Sequence, residues 1–147
     1  MMRCWSYLYV STVIYINLVS IGRTTIKYYR DKIKIHQTPY SLANVVESHG
    51  WYSLKPFNWD SGDGILRSAL CVDGKPTDIL FSENNYVIDI ASTSPITDTV
   101  RHTATRMLCL NDDLSDFHHY CNRHQEFKWI ADQKLGRMLR STNLWED

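Results

Sequence analysis

The sequence predicts an α+β fold, in which an antiparallel sheet comes first along the chain and flanking helices follow it. Between residues 51 and 90, short runs of aromatic and β-branched residues are separated by turn-forming clusters such as Asp73-Gly74. After Ala91 the spacing of apolar residues changes from about two to about 3.6, which is the period of a helix. Strands followed by helices are typical of α+β domains.

A strand and a short helix are predicted ahead of this region. Ile33 and Ile35 alternate with polar residues, so both isoleucines are expected on one face of a strand. Ser41 is expected to begin a helix that ends before Gly50. The apolar positions of this helix are spaced by three residues and then by one: Leu42, Val45 and Val46.

Four antiparallel strands are predicted next, because the connections between them are too short for the crossovers that parallel strands need. Their expected limits are residues 51–57, 64–72, 77–81 and 86–90. The second strand separates into two faces, with Leu66, Leu70 and Val72 on one and Ile65, Ala69 and Cys71 on the other.

Two helices are predicted after the sheet. Ser94 is the expected N-cap of the first, with Pro95 in the first helical position. Its apolar stripe consists of Ile96, Val100, Ala104, Met107 and Leu108. The second helix is expected after residues 111–113, and its apolar face consists of Leu114, Phe117 and Cys121.

Composition favours a single domain with no strong electrostatic preference. A chain of 147 residues with 44% hydrophobic content can build one modest core. Sixteen basic residues balance sixteen acidic ones, so the overall charge does not attract nucleic acid or an acidic membrane. The four cysteines lack the paired spacing of a disulfide scaffold or a zinc site. We therefore expect reduced thiols, a cytoplasmic location and no cofactor.

Residues 1–22 form an apolar N-terminal extension. The segment from 4 to 21 is apolar and aromatic, lies between Arg3 and Arg23, and has the minimum length for a membrane span. Three interpretations stay open at this stage: a membrane anchor, a secretory signal, and a disordered or misread start. Membrane attachment through residues 4–21 is therefore the alternative to a cytoplasmic location.

The closing residues, 136–147, resemble the segment that precedes the catalytic helices in helix-hairpin-helix DNA glycosylases of the 3-methyladenine and 8-oxoguanine type. Thr142 departs from that pattern, since a proline is common there. Residues 48–60 and 108–117 resemble two further parts of these proteins in the expected order, so the resemblance covers about residues 33–147. The positions that match in the closing segment are Gly136, Arg137, Leu139, Arg140, Ser141, Glu146 and Asp147.

The resemblance implies the non-catalytic N-terminal domain of a base-excision repair enzyme. Residues 23–140 would form a sheet of the TATA-binding-protein type flanked by helices, and residues 141–147 would begin a truncated helix. Such enzymes flip a damaged base out of the duplex and cleave its glycosidic bond with an aspartate located beyond the hairpin. We therefore expect no catalytic residue in this chain and no activity of the chain alone. Duplex DNA would bind weakly, or only together with a catalytic half.

A membrane-anchored or secreted interaction module is the alternative function, because of residues 4–21. Without the helical bundle that the glycosylase resemblance implies, the first turn of a truncated helix would lack a packing partner. Leu139, Leu144 and Trp145 are therefore expected to lie exposed.

Arg137 and Arg140 are the candidate contacts to a DNA phosphate. The alternative interpretation is solvation at the surface, or ion pairing with Glu146 or Asp147. His118, Cys121 and His124 have helical spacing, but a second ligand pair is lacking, so no metal site is predicted. Four aromatic residues suggest either base stacking or ordinary packing in the sheet: Trp51, Tyr52, Trp59 and Tyr86.

Overall fold

The structure is a computed structural model that describes residues 17–21 and 24–142. Its strands are β1 (Asn17–Ile21), β2 (Thr24–Lys34), β3 (Asn58–Asp60), β4 (Ile65–Val72), β5 (Lys75–Asn84) and β6 (Val87–Ser92). Its α-helices are α1 (Leu42–Val46), α2 (Asp98–Met107), α3 (Ser115–Arg123) and α4 (Lys128–Asp132). The predicted α+β fold is thereby confirmed, with an antiparallel sheet followed by helices.

The strands form one sheet in the order β1-β2-β6-β5-β4-β3, and every neighbouring pair is antiparallel. The main part of the sheet consists of the five strands β2 to β6. β1 pairs only with residues 24–28 of β2, whereas residues 29–34 of β2 pair with β6. Asp73 and Gly74 both have positive φ and link β4 to β5, as the hairpin signal predicts. The expected domain boundary at residue 22 falls between β1 and β2.

The apolar N-terminal segment is only partly described. Residues 17–21 form β1 and pair with β2, whereas residues 1–16 lie outside the described part of the chain. Across residues 17–21 and 24–142, no helix has both the length and the apolar character that a membrane crossing requires.

The core lies between one face of the sheet and the helices. The predicted faces of β4 are confirmed, since Leu66, Leu70 and Val72 are buried while the alternate residues are less so. The sheet also contributes Ile79, Phe81, Ile88 and Ile90, and the helical side contributes Leu42, Val45, Val46, Val100, Ala104, Met107, Leu108 and Leu110. Helices thus cover this face of the sheet, and the opposite face carries the more exposed residues.

The strand predicted at residues 51–57 is wrong. A 3-10 helix occupies Gly50–Ser53, and the strand that follows is β3. Nδ1 of His49 accepts a hydrogen bond from the Trp51 amide at 3.2 Å, and the Ser53 hydroxyl donates to the Gly50 carbonyl at 2.7 Å. These local side-chain bonds stabilise a helical turn in competition with an extended strand.

The start predicted for α2 is also wrong, because Thr97 is the N-cap and accepts from the Val100 amide. Ser94 instead accepts from the Thr77 hydroxyl at 3.3 Å, and its own amide donates to Ser92. These bonds hold Ser94 at the end of β6. The predicted apolar stripe is confirmed, since Val100, Ala104, Met107 and Leu108 are buried and Ile96 packs against the core.

The apolar face predicted for α3 is only partly correct. Cys121 is buried, but Phe117 is 41% exposed and His118 takes the inward position. The imidazole of His118 compensates for its burial through a 2.7 Å hydrogen bond between Nε2 and the Leu135 carbonyl. A buried histidine bonded to the backbone is not distinguishable from a surface histidine in the sequence alone.

Candidate nucleic-acid interface

Residues 136–141 form an extended segment, here called the C-terminal strap, that packs against both α1 and the end of α2. The Leu139 amide donates to the Val45 carbonyl of α1, and the Arg140 amide donates to the Met107 carbonyl of α2, each at 3.0 Å. The Leu139 side chain is 1% exposed and belongs to the core. The expectation that Leu139 lies exposed is therefore wrong, while Leu144 and Trp145 lie outside the described residues.

Arg137 anchors the strap from inside the molecule. Its Nη1 donates to the Pro39 carbonyl at 2.7 Å, and its Nη2 donates to the carbonyls of Asp112 at 2.9 Å and Gln37 at 3.3 Å. The residue is only 5% exposed, so the structure places it in the interior instead of at the surface. A DNA phosphate would have to compete with these three carbonyls, and phosphate contact by Arg137 stays a prediction.

Tyr40 completes this anchor. The Arg137 guanidinium lies 5.5 Å from the centre of the Tyr40 ring, within the range of a cation–π contact. The fully buried Tyr40 hydroxyl donates to the Leu108 carbonyl at 3.0 Å. Burial, followed by the charge of Glu83, raises the pKa of Tyr40 far above its ordinary value. Tyr40 is therefore a packing and hydrogen-bonding residue with no acid–base role at neutral pH.

Arg140 is the accessible arginine of the strap. Its side chain is 44% exposed, and Nη2 lies 2.9 Å from Oδ2 of Asp112. The ion pair thus forms with Asp112, whereas Glu146 and Asp147 lie outside the described residues. Ion pairs at the surface are weak, so a phosphate group can exchange with the Asp112 carboxylate at small cost. Phosphate contact by Arg140 stays a prediction that this geometry permits.

A cleft of about 500 Å³ lies along the strap. The Arg106 guanidinium donates to the Ser141 carbonyl at one end, and Nε2 of His49 lies 2.8 Å from the Leu139 carbonyl. The lining includes His49, Trp51, Arg106, Cys109, Asp112 and the strap residues 136–140. Among the described residues that line the cleft, the charged side chains include three arginines, at positions 106, 137 and 140, and the carboxylate of Asp112.

Cys109 is unsuited to act as a nucleophile in this cleft. Its thiol donates to the Met138 carbonyl at 3.0 Å and is buried. Burial, together with the nearby Asp112 carboxylate, raises the pKa of Cys109 to about 11. Since the thiolate is the reactive form, Cys109 stays unreactive near neutral pH.

The residues considered for metal binding have other contacts. His118 and Cys121 are buried, and the His124 ring lies 4.3 Å from the Tyr120 ring. In residues 17–21 and 24–142, no group of three or more His, Cys, Asp or Glu side chains is arranged to hold a metal ion.

The aromatic residues considered for base stacking serve different purposes. Tyr52 and Trp59 pack against the core, as the packing interpretation predicts. Trp51 lies edge-on to His49 at 5.0 Å beside the cleft, and Tyr86 is 57% exposed at the hairpin between β5 and β6.

Sequence reasoning missed three residues of the cleft: His49, Arg106 and Asp112. His49 lies before the 3-10 helix, whereas Arg106 and Asp112 lie at and just after the end of α2, and the fold brings both parts of the chain to the strap. Asp112 belongs to a polar and acidic run before α3. Such a run predicts a helix cap and does not predict a ligand-binding residue.

The fold is similar to part of a DNA-glycosylase structure. A solved structure of 3-methyladenine DNA-glycosylase from Archaeoglobus fulgidus superposes with a TM-score of 0.59 at 15% sequence identity. The match covers 78% of this chain and 41% of the glycosylase, so the chain spans less than half of that protein. No family model and no curated protein sequence matches the chain. At this identity the similarity establishes the fold, which is that of a segment of a DNA glycosylase.

Proposed function

We propose that this chain is the non-catalytic N-terminal domain of a helix-hairpin-helix DNA base-excision glycosylase and acts in the cytoplasm. The observation that supports this is the superposition of 78% of the chain on 41% of a 3-methyladenine DNA-glycosylase. In the proposal, residues 23–140 form the domain, with a sheet of the TATA-binding-protein type, and residues 141–147 begin a helix. The base-excision chemistry belongs to a helical segment that follows.

The chemistry of the strap agrees with a supporting role. Base excision needs a pocket for a flipped nucleotide and a carboxylate beside its sugar. In the cleft, the Asp112 carboxylate is paired with Arg140, and the Cys109 thiol is protonated. The thiol is therefore unavailable as a nucleophile near neutral pH, and the carboxylate serves the ion pair that orients Arg140.

Arg137 and Arg140 would serve DNA in different ways. Arg140 would contact a phosphate directly, because its guanidinium is partly exposed. Arg137 would hold the strap, and hence Arg140, in position through its bonds to backbone carbonyls. An Arg140→Gln variant should therefore lower the salt dependence of duplex binding by about one counterion.

A base-release assay tests the proposed function. The full chain alone should release no base from alkylated or oxidised duplex. Joined to the segment encoded immediately downstream, it should release bases, and replacing the catalytic aspartate of that segment with asparagine should abolish the release. Release by the chain alone would contradict a non-catalytic role. A downstream sequence without a helix-hairpin-helix would contradict the assignment to a glycosylase.

A further inference from the structure

The free face of the sheet, opposite the helices, carries a row of cations that the proposed function leaves unused. Arg30, Lys32 and Lys34 alternate along β2, so their side chains share one face of the strand. All three are exposed, and the Lys32 side chain reaches 70%. We call these three residues the β2 row.

Asp31 and the three cations of the β2 row lie on opposite faces of the strand. Asp31 lies between Arg30 and Lys32 in sequence and therefore points to the helical side of the sheet. Its side chain is 8% exposed, and Oδ2 lies 2.5 Å from Nη2 of Arg101 on α2. Because the acidic residue is neutralised on the buried side, the free face of β2 presents cations.

The β2 row is only lightly neutralised by its neighbours. Lys32 lies 3.4 Å from Asp89 on β6. Within residues 17–21 and 24–142, Arg30 and Lys34 form no ion pair. Asp60 and Asp78 lie on the same face, but on the more distant strands β3 and β5. The cations therefore lie at the β2 side of the free face, while acidic residues elsewhere on that face nearly balance their charge. For this reason the neutral net charge of the chain does not reveal the β2 row.

The strand register places one further cation, Arg67, on this face, next to Asp60 and Asp78 of the neighbouring strands. Arg30 pairs with Ala91, Ala91 with Leu80, and Leu80 with Arg67. Arg67 is exposed and, with three strand spacings between them, lies about 14 Å from Arg30. The surface between the two arginines is made of the half-buried Ala91 and Leu80.

We infer that the β2 row is a contact surface for the phosphate backbone of duplex DNA. This inference rests on the proposed function, because that function makes DNA the partner. Alternate residues of a strand are about 6.6–6.8 Å apart, and each DNA strand carries one phosphate per about 3.4 Å of helix axis, so several phosphates can lie within reach of the three side chains. Such contacts position a protein on DNA without reading its sequence.

The β2 row is separate from Arg140. Arg140 belongs to the strap, whose backbone is bonded to α1 and α2 on the helical side. The two candidate contacts therefore lie on opposite sides of the sheet and can be tested independently.

The test is the salt dependence of duplex binding by the full chain. The variant Arg30→Gln/Lys34→Gln should lower the slope of log affinity against log salt by about 1.8, since each lost phosphate contact accounts for about 0.9. The matched control is Arg123→Gln/Lys128→Gln, which removes the same charges from exposed positions of α3 and α4. The control should keep the slope of the unmodified chain.

Three outcomes would overturn the inference. Equal losses in both variants would mean that net charge, and not the β2 row, determines binding. An unchanged slope in Arg30→Gln/Lys34→Gln would place the DNA contact elsewhere. Binding to phosphatidylcholine vesicles containing phosphatidylserine, with no binding to duplex, would assign the row to a membrane surface. Base release by the joined protein is a separate readout, so the glycosylase assignment can stand while the β2 row fails.

Discussion

The C-terminal strap and the β2 row both contain an arginine, but the two regions place its charge in opposite environments. Arg137 is 5% exposed and donates to three backbone carbonyls, whereas Arg30 is exposed and has no ion-pair partner among the described residues. Burial therefore decides what each of these arginines does. In the strap the charge is held by backbone carbonyls, and on the sheet it faces solvent.

The different hydration of the two guanidinium groups explains why Arg137 and Arg30 have different roles. A buried guanidinium loses its hydration and is tolerated only where hydrogen bonds replace the lost water. Removing it leaves carbonyls without their donor, and that is costly. An exposed guanidinium is hydrated in the free protein, so its loss changes stability little. If the β2 row contacts DNA, as inferred above, the loss of Arg30 weakens binding to phosphate instead.

The strongest test of the strap as a structural element is Leu139→Ala. The side chain is 1% exposed in the core, so truncation should cost about 2–5 kcal/mol of unfolding free energy. Its neighbour Met138 is 60% exposed, and Met138→Ala should change stability by less than about 0.5 kcal/mol. Urea unfolding measures both. Equal effects would show that the strap does not pack as described.

A smaller effect is expected at the start of the strap. Gly136 has φ +120°, and an added Cβ would lie 2.9 Å from Leu114 and 3.0 Å from Phe117. Gly136→Ala should therefore cost about 2 kcal/mol. Gly50→Ala is the control, because nothing lies within 4 Å of a Cβ there. Thermal unfolding that leaves the two variants alike would argue against a tight turn into the strap.

The smallest effect concerns the Cys109 thiol, whose pKa burial raises to about 11. Alkylation at pH 8 should label the exposed Cys71 and spare Cys109 until urea is added, as peptide mass spectrometry would show. The folded state holds the proton more tightly than the unfolded state, in which the thiol has its ordinary pKa of 9.0. The stability gained this way is complete below about pH 9 and is lost as pH rises through about 11. Equal labelling of both cysteines in the native protein would contradict this.

Local patterns predicted most of the fold. The two faces of β4 and the apolar stripe of α2 follow from periodicity, and the hairpin at Asp73-Gly74 follows from turn chemistry. The errors occurred where side chains bond to nearby backbone. His49 and Ser53 stabilise a 3-10 helix in place of a strand, and Thr97 caps α2 in place of Ser94.

The candidate sites were harder to predict, for two different reasons. Arg137 was predicted to contact phosphate or to lie at the surface, whereas its burial depends on carbonyls of Pro39 and Gln37, about one hundred residues away. The β2 row had a local signal, the alternation of Arg30, Lys32 and Lys34, and a neutral total charge hid its meaning. The structure shows that Asp31 lies on the helical side of the sheet, so the three cations share the opposite face of β2 without it.

The comparison of the two arginines is tested most directly by urea unfolding of Arg137→Gln and Arg30→Gln. Both variants remove one positive charge and introduce the same side chain. We expect Arg137→Gln to lose about 3 kcal/mol of unfolding free energy, because three carbonyls lose a charged donor. We expect Arg30→Gln to stay within about 0.5 kcal/mol of the unmodified chain. Similar stabilities for the two variants would contradict the conclusion that Arg137 stabilises the fold and Arg30 does not.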